Sequence, residues 1–400
     1  MNATIDLYVL WIVIVIFARS RAIITDTLLG GLLFVVIGMI GITHFFLTYT
    51  KRKPLTFKSV LPYLLIIFGR TALYYRLDDP INFFVDCLMF FPVLTFPLLP
   101  NEVVGKLLDK VKTVFIWLFG ISFSLYLLDL VGVPIPRLEY FYHSKDKVIN
   151  YFYLYASYPE DKFRYCGLFT EPGYNSLVLM SMLLVNEFDF KLKSTWLYLV
   201  ALICTFSLGG YILFVAGYSM FLLIKQGNIS RALFIMGGLI VVLGLVTFIA
   251  LSYNNGNNFF AEKIIMRLAL DENNNIAGYN REGWVALPII DSFFYSSSIW
   301  MGVGRNVFLD AINIPDYDAC SWRQFAIMYG AVYTIILFVF SIFLLKRTNL
   351  KKVLPFYLVY WFDFIQHGDL FMGSFFFLMM YGYAKLKKYL PNHNPYKIKI

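Results

Sequence analysis

Charge is what this 400-residue chain lacks most: 15% of its residues are Asp, Glu, Lys or Arg, where a soluble domain carries about a quarter. Together with 59% hydrophobic residues and a mean hydropathy of +0.67, that shortage excludes an ordinary soluble domain. Histidine is scarce too. His44, His143, His367 and His393 are scattered with no metal-ligand spacing. The four cysteines, Cys87, Cys166, Cys204 and Cys320, form no C-x-x-C pair, so no redox or zinc motif is expected. Cys87 and Cys204 lie in apolar runs and read as packing residues, while a Cys166–Cys320 disulfide is geometrically open. No long polar segment divides the chain, so residues 1–400 read as one membrane domain. No internal repeat of the kind that marks many transporters is visible.

Apolar stretches of about 17–25 residues, the length a bilayer demands, recur from end to end. Spans are expected at 5–20, 23–47, 59–76, 81–100, 112–131, 167–186, 195–207, 209–224, 232–252, 323–345, 353–366 and 369–385. The chain is therefore an all-α polytopic membrane protein of about twelve transmembrane helices. The first apolar run, about 6–18, lacks a basic leader and a small-residue cleavage site and reads as a retained span.

The net charge of +9 is a topology signal, not a nucleic-acid signal. Twenty of the 34 Lys and Arg fall in 51–58, 106–112, 191–193, 225–231, 346–352 and 385–399. Those are cytoplasmic turns under the positive-inside rule. Both termini are then cytoplasmic, and Arg19 and Arg21 fall on the outer side against the rule. The run 195–224 has basic turns at both ends, so it cannot be one crossing. The Ser207-Leu208-Gly209-Gly210 break reads as a tight turn between two short helices, placed inside the protein where free backbone groups line a cavity. Two long segments, 132–165 and 253–322, lie outside, and loops of that length are usually functional. Within the second, the mildly apolar 284–303 reads as an interfacial helix.

Arg164 to Asn175 is the most telling stretch. It runs Arg-Tyr-Cys-Gly-Leu-Phe-Thr-Glu-Pro-Gly-Tyr-Asn, where a polar loop re-enters the membrane. Charges at that depth are usually there to bind or react. Glu171 precedes a proline and so avoids the helical region, and proline favours the first helical position. A helix is expected to begin at Pro172, its N-terminus offering free N–H groups to an anion. Gly167 permits a sharp bend between Arg164 and Glu171. Glu171 suits a general base and Arg164 a phosphate clamp. The plainer alternative is a Glu171–Arg164 pair tying loop to helix.

The second outer segment adds Arg267, Arg281 and Arg305, the last closing Gly302-Val303-Gly304-Arg305. Those glycines allow backbone to approach a ligand, yet the pattern is far from a dinucleotide fingerprint. Each Arg alone reads equally as a headgroup-facing cation. Asp316-Tyr317-Asp318 has the D-x-D form, but no nucleotide-binding fold accompanies it and no metal is expected. His143 and His367 fall outside and are candidate acid–base groups; His367 also suits a cap for the turn that follows. Arg70 with Asp86, or Arg76 with Asp78 or Asp79, would pair within or beside spans. The Tyr-rich run 140–158 belongs to the aromatic belt or offers faces for sugar rings.

Arg164-x-x-Gly167-x-Phe169-x-Glu171-Pro172, the Ser207-to-Gly210 break, and Gly302-x-Gly304 closing a long loop that holds Arg281 occur here in order. In this the chain resembles the Wzy-type polymerases of O-antigen and capsule repeat units, over roughly residues 160–345. The resemblance implies a GT-C-like helical fold in the bacterial inner membrane. It implies transfer of a growing glycan from undecaprenyl diphosphate onto a repeat unit linked to undecaprenyl diphosphate, at the periplasmic face. On this reading Arg164, Arg281 and Arg305 hold the diphosphate and Glu171 is catalytic. Gly167, Asn175, Arg267, Gly302 and Gly304 support them. No cofactor, metal or nucleic acid is implied; a chain-length regulator is an implied partner. The related O-antigen ligases carry a His before the helix after the second long loop, where this chain reads Asp318-Ala319-Cys320-Ser321-Trp322-Arg323. Ligase activity and polysaccharide flipping remain the alternatives.

Overall fold

A computed structural model describes residues 2–19, 35–44, 88, 91, 96, 99–142, 147–226, 229–268, 286–313, 321–345, 348, 350–368 and 373–385. These are mostly helical. The helices are α1 Asn2–Arg19, α2 Val35–His44, α3 Asn101–Leu130, α4 Pro172–Val185, α5 Lys193–Cys204, α6 Leu208–Gln226 and α7 Ile229–Ser252. They continue with α8 Leu287–Phe294, α9 Arg305–Ile312, α10 Trp322–Tyr329, α11 Ala331–Leu345, α12 Leu350–His367 and α13 Gly373–Ala384. Two of them, α3 and the stretch Leu208–Lys225 of α6, are long and apolar enough to cross a membrane; a third span exists if α10 and α11 are one. The expected span at 59–76, most of that at 81–100, and the Arg70, Asp86, Arg76, Asp78 and Asp79 pairs lie outside the described residues.

Burial sorts the helices. In α4 and α13 the apolar residues run right round the axis, and both are enclosed: nearly every residue from Pro172 to Val185 and from Gly373 to Tyr383 is buried. A helix apolar on all sides needs that position or a lipid environment. Helix α7 is just as apolar but takes the other course, with Phe234 83% and Phe248 69% exposed. In water those rings would be costly to expose; in hydrocarbon they are not. Phe115, Phe119 and Phe377 knit α3 to α13 at the centre.

Three features depart from the expected architecture. The segment 132–165 carries a sheet: β1 Leu138–Tyr142, β2 Lys147–Tyr151 and β3 Ala156–Ser157 form an antiparallel β1-β2-β3 ladder, with Leu138 opposite Tyr151 and Asn150 opposite Ser157. The described residues are otherwise mostly helical, as expected. The expected span 323–345 is two helices bent by 111° at Gly330. The 195–224 break falls at Thr205–Ser207, ahead of the glycines. By contrast, 284–303 does hold a short helix: the eight residues of α8 reach about 12 Å at 1.5 Å each, too little to cross.

The ends of the bundle differ chemically. Asp6 pairs with Lys110, and Phe17 meets Phe115 and Phe169, so α1 and α3 run in the same sense. Arg19 therefore falls at the end that bears the sheet. At the opposite end Glu187, just after α4, meets Lys385 Nζ at 2.6 Å and accepts a hydrogen bond from Tyr381 at 3.1 Å. Burial favours a raised Glu187 pKa; the Lys385 and Tyr381 contacts outweigh it and hold the carboxyl below its usual range. The tie then contributes fully above the unfolded pKa of about 4.3 and is lost as pH falls through the lower native value. The gap in unfolding midpoint between wild type and Glu187→Gln should shrink as pH drops from about 6 to about 3. A constant gap across that range would contradict the tie.

Candidate functional site

The loop before α4 is built by its own side chains. Tyr155, Tyr165, Tyr126, Phe152 and Phe123 form a contiguous ring stack, with Tyr155 and Tyr165 centroids 6.2 Å apart and near-parallel. Their hydroxyls are satisfied: Tyr165 donates to Ser122 Oγ at 2.9 Å, Tyr126 to the Phe163 carbonyl at 2.8 Å, and Tyr155 to Asp129 at 3.3 Å. Burial pushes the Tyr151 phenol up to about 12 and the Tyr155 phenol further still. These tyrosines are buried, not open faces for sugar rings; among the described side chains of the 140–158 run Tyr153, 58% exposed, is the exception.

On this base the Arg164–Asn175 stretch takes the expected path. Gly167 turns the chain at φ 63°. A Cβ there would sit 2.7 Å from Asn175 Oδ1, so the position demands glycine on two counts. Asn175 is buried and donates to the Tyr165 carbonyl at 3.1 Å. Glu171 is extended at φ −141°, ψ 146°, and α4 begins at Pro172. The Glu171 side chain is half-buried and does not cap the helix.

Arg164 has a role its position did not announce. Its Nε and Nη2 donate to the carbonyls of Thr205 and Phe206, each at 3.4 Å. The Tyr165 N–H donates to the Cys204 carbonyl at 2.8 Å. The last carbonyls of a helix have no partner of their own, and here the broken end of α5 is closed from the 132–165 segment. Phe206 makes the turn at φ 44°. Ser207 Oγ accepts from Gly210 N–H at 3.2 Å and so starts α6. Gly209 and Gly210 are not the turn but the contact: a Cβ on Gly210 would lie 2.6 Å from Ser176 Cβ, and one on Gly209 3.1 Å from Gln366.

The segment 253–322 meets this loop through Lys263, in the π-helical turn Ala261–Ile265. Such turns recur at functional positions. Lys263 Nζ lies 2.8 Å from Asp161 Oδ1 and 2.9 Å from Glu262; Arg164 Nη1 lies 3.8 Å from Asp161 Oδ2. Burial works to lower the Lys263 pKa, but the two carboxylates outweigh it and hold it above the usual lysine value. Phe259 fixes the contact, its ring edge-on to Phe206 and Phe163 and beneath Lys263. Lys263 had no local sequence signature.

A second polar cluster lies across α4. His367 Nδ1 is 2.9 Å from Asp363 Oδ1, and Ser374 Oγ donates to Asp363 Oδ2 at 2.5 Å. The His367 ring stacks on Tyr174 with centroids 4.1 Å apart. Asp363 and His367 are at most 3% exposed. His367 is thus part of a buried network rather than a cap for an exposed turn. Its i,i+4 spacing from Asp363 was the signal available in the sequence.

Other expected residues lie on neighbouring elements or outside the described residues. Gly302 and Gly304 lie against backbone: Val303 and Gly304 N–H donate to the Ile327 and Met328 carbonyls at 2.9 and 3.0 Å. Arg305 opens α9 and is exposed; Arg267 is half-buried in the 3₁₀ turn Met266–Leu268. Arg281, Cys320, His143 and the Asp316–Asp318 pair lie outside the described residues. With Cys320, the expected Cys166–Cys320 disulfide lies outside the described residues; Cys166 itself is buried. Comparison of the chain with protein-family models, with curated proteins and with solved structures found no match.

Proposed function

We propose that the chain is a polysaccharide polymerase of the bacterial inner membrane, with about twelve spans in a GT-C-like arrangement and both termini cytoplasmic. It transfers a growing glycan from undecaprenyl diphosphate onto an undecaprenyl-diphosphate-linked repeat unit at the outer face. The observation that carries this reading is the meeting of Arg164 and Lys263, one cation from each outer segment, on a single carboxylate. They meet on the loop that leads to Glu171 and at the end of the broken helix α5. In the transfer, the bond from the anomeric carbon to the diphosphate breaks and a bond to the acceptor hydroxyl oxygen forms. The hydroxyl proton passes to Glu171 and the lipid diphosphate leaves as the anion. Cations beside that leaving group stabilise charge as it develops. The glycosyl–diphosphate bond, with the diphosphate as a good leaving group, already supplies the driving force, so the reaction calls for no nucleotide.

Purified protein given lipid-linked repeat units is expected to produce a ladder of longer chains without other enzymes. Absence of any ladder would favour transport over catalysis. Arg164→Ala should abolish the ladder, and Glu171→Gln should slow it by about 10²–10⁴-fold, the usual contribution of a positioned base. Polymerisation retained in both variants would overturn the assignment.

A further inference from the structure

We propose that Asp161 occupies the seat of a diphosphate: its carboxylate is an internal occupant that an incoming lipid diphosphate displaces from between Lys263 and Arg164. The identity of the lipid rests on the polymerase reading above; the anion site does not.

The carboxylate presents one oxygen to each cation, Oδ1 to Lys263 at 2.8 Å and Oδ2 to Arg164 at 3.8 Å. Each cation's side chain has anchors besides the Asp161 carboxylate. Arg164 is aimed by the Thr205 and Phe206 carbonyls, and Lys263 by Glu262 and the face of Phe259. Two fixed cations on separate segments, bridged by one exchangeable anion, match the spread of negative oxygens on a diphosphate. The three side chains are 12%, 17% and 19% exposed for Arg164, Lys263 and Asp161. They are sheltered enough for charge to matter and open enough for a headgroup to reach. A singly charged ligand gains little by replacing a carboxylate with another monoanion, so the occupant also selects for higher charge.

Full-length protein in detergent should be titrated by calorimetry with inorganic pyrophosphate, farnesyl diphosphate and farnesyl monophosphate. Asp161→Asn is expected to bind both diphosphates about tenfold tighter than wild type, because the competing anion is gone. Lys263→Gln should bind them about tenfold weaker while Arg164 keeps its carbonyl partners. Farnesyl diphosphate binding tighter than pyrophosphate assigns the site to a lipid headgroup; equal affinity assigns it to the free anion. Asp161→Asn binding no tighter, with an unchanged unfolding midpoint, overturns the proposal. So does Lys263→Gln binding as wild type, and that variant decides alone if Asp161→Asn is not recovered folded. Binding that responds as stated in a protein without polymerase activity would overturn the polymerase reading and leave this site standing.

Discussion

Gly330→Ala is expected to cost about 3 kcal/mol or more and to unseat the block formed by α8, α9 and α10. Gly330 sits at φ 91°, ψ 145°, a region that side chains on L residues scarcely enter. A Cβ there would lie 2.6 Å from the Met301 carbonyl carbon and 2.7 Å from the Trp300 oxygen. Both are backbone atoms, so no rotamer relieves the overlap. Gly302 mirrors it, at φ 75° with the Gly330 nitrogen 2.5 Å from its would-be Cβ. The chain crosses itself here with two glycines face to face. The control is Gly244→Ala in α7, where nothing lies within 4 Å and alanine suits a helix better. Detergent-solubilised Gly330→Ala should show a much lower unfolding midpoint or fail to be recovered, with Gly244→Ala unchanged. Equal midpoints for the two would mean that the 111° bend is not held by this contact.

Asp363→Ala is expected to be comparably severe, at about 3 kcal/mol or more. The Asp363 carboxylate is the hub of its cluster, meeting His367 Nδ1 and Ser374 Oγ from two helices. Alanine leaves two buried polar groups without that acceptor, and unmet groups in such a place cost the most. Asp363→Asn keeps the shape and one acceptor, so it should recover much of the loss. Chemical or thermal unfolding in detergent separates the cases. Asp363→Ala as stable as wild type would show that the cluster contributes nothing to holding α12 against α13.

What the sequence disclosed, and what it hid, follows from the range of the forces involved. The start of α4 was legible because proline acts on its own φ and on the residue before it, and Glu171 is extended as that demands. Gly167 was legible as a bend for the same local reason. The break in 195–224 was legible as a need, since basic turns flank it, but its place was misread. The glycines looked like turn residues, whereas Phe206 turns the chain and the glycines make room for Ser176 and Gln366. Gly302, read as room for a ligand, is where backbone packs on backbone, against Gly330. The sheet was missed although Leu138–Tyr142 and Lys147–Tyr151 are rich in aromatic and β-branched residues. Lys263 was invisible because its partner lies about a hundred residues away in sequence; the pairing is a property of the fold. Asp363 was readable as the partner of His367 from one-turn spacing and was passed over because a lone histidine before a glycine suggests a helix end.

Arg164 is attached to a surface loop, yet its guanidinium completes the hydrogen bonding of a helix cut short within the bundle. Connecting loops ordinarily tolerate changes in length. Between Asp161 and Tyr165 that freedom is gone, because adding or deleting one residue withdraws a donor from the hydrophobic interior. This short stretch of surface must evolve at the pace of the core.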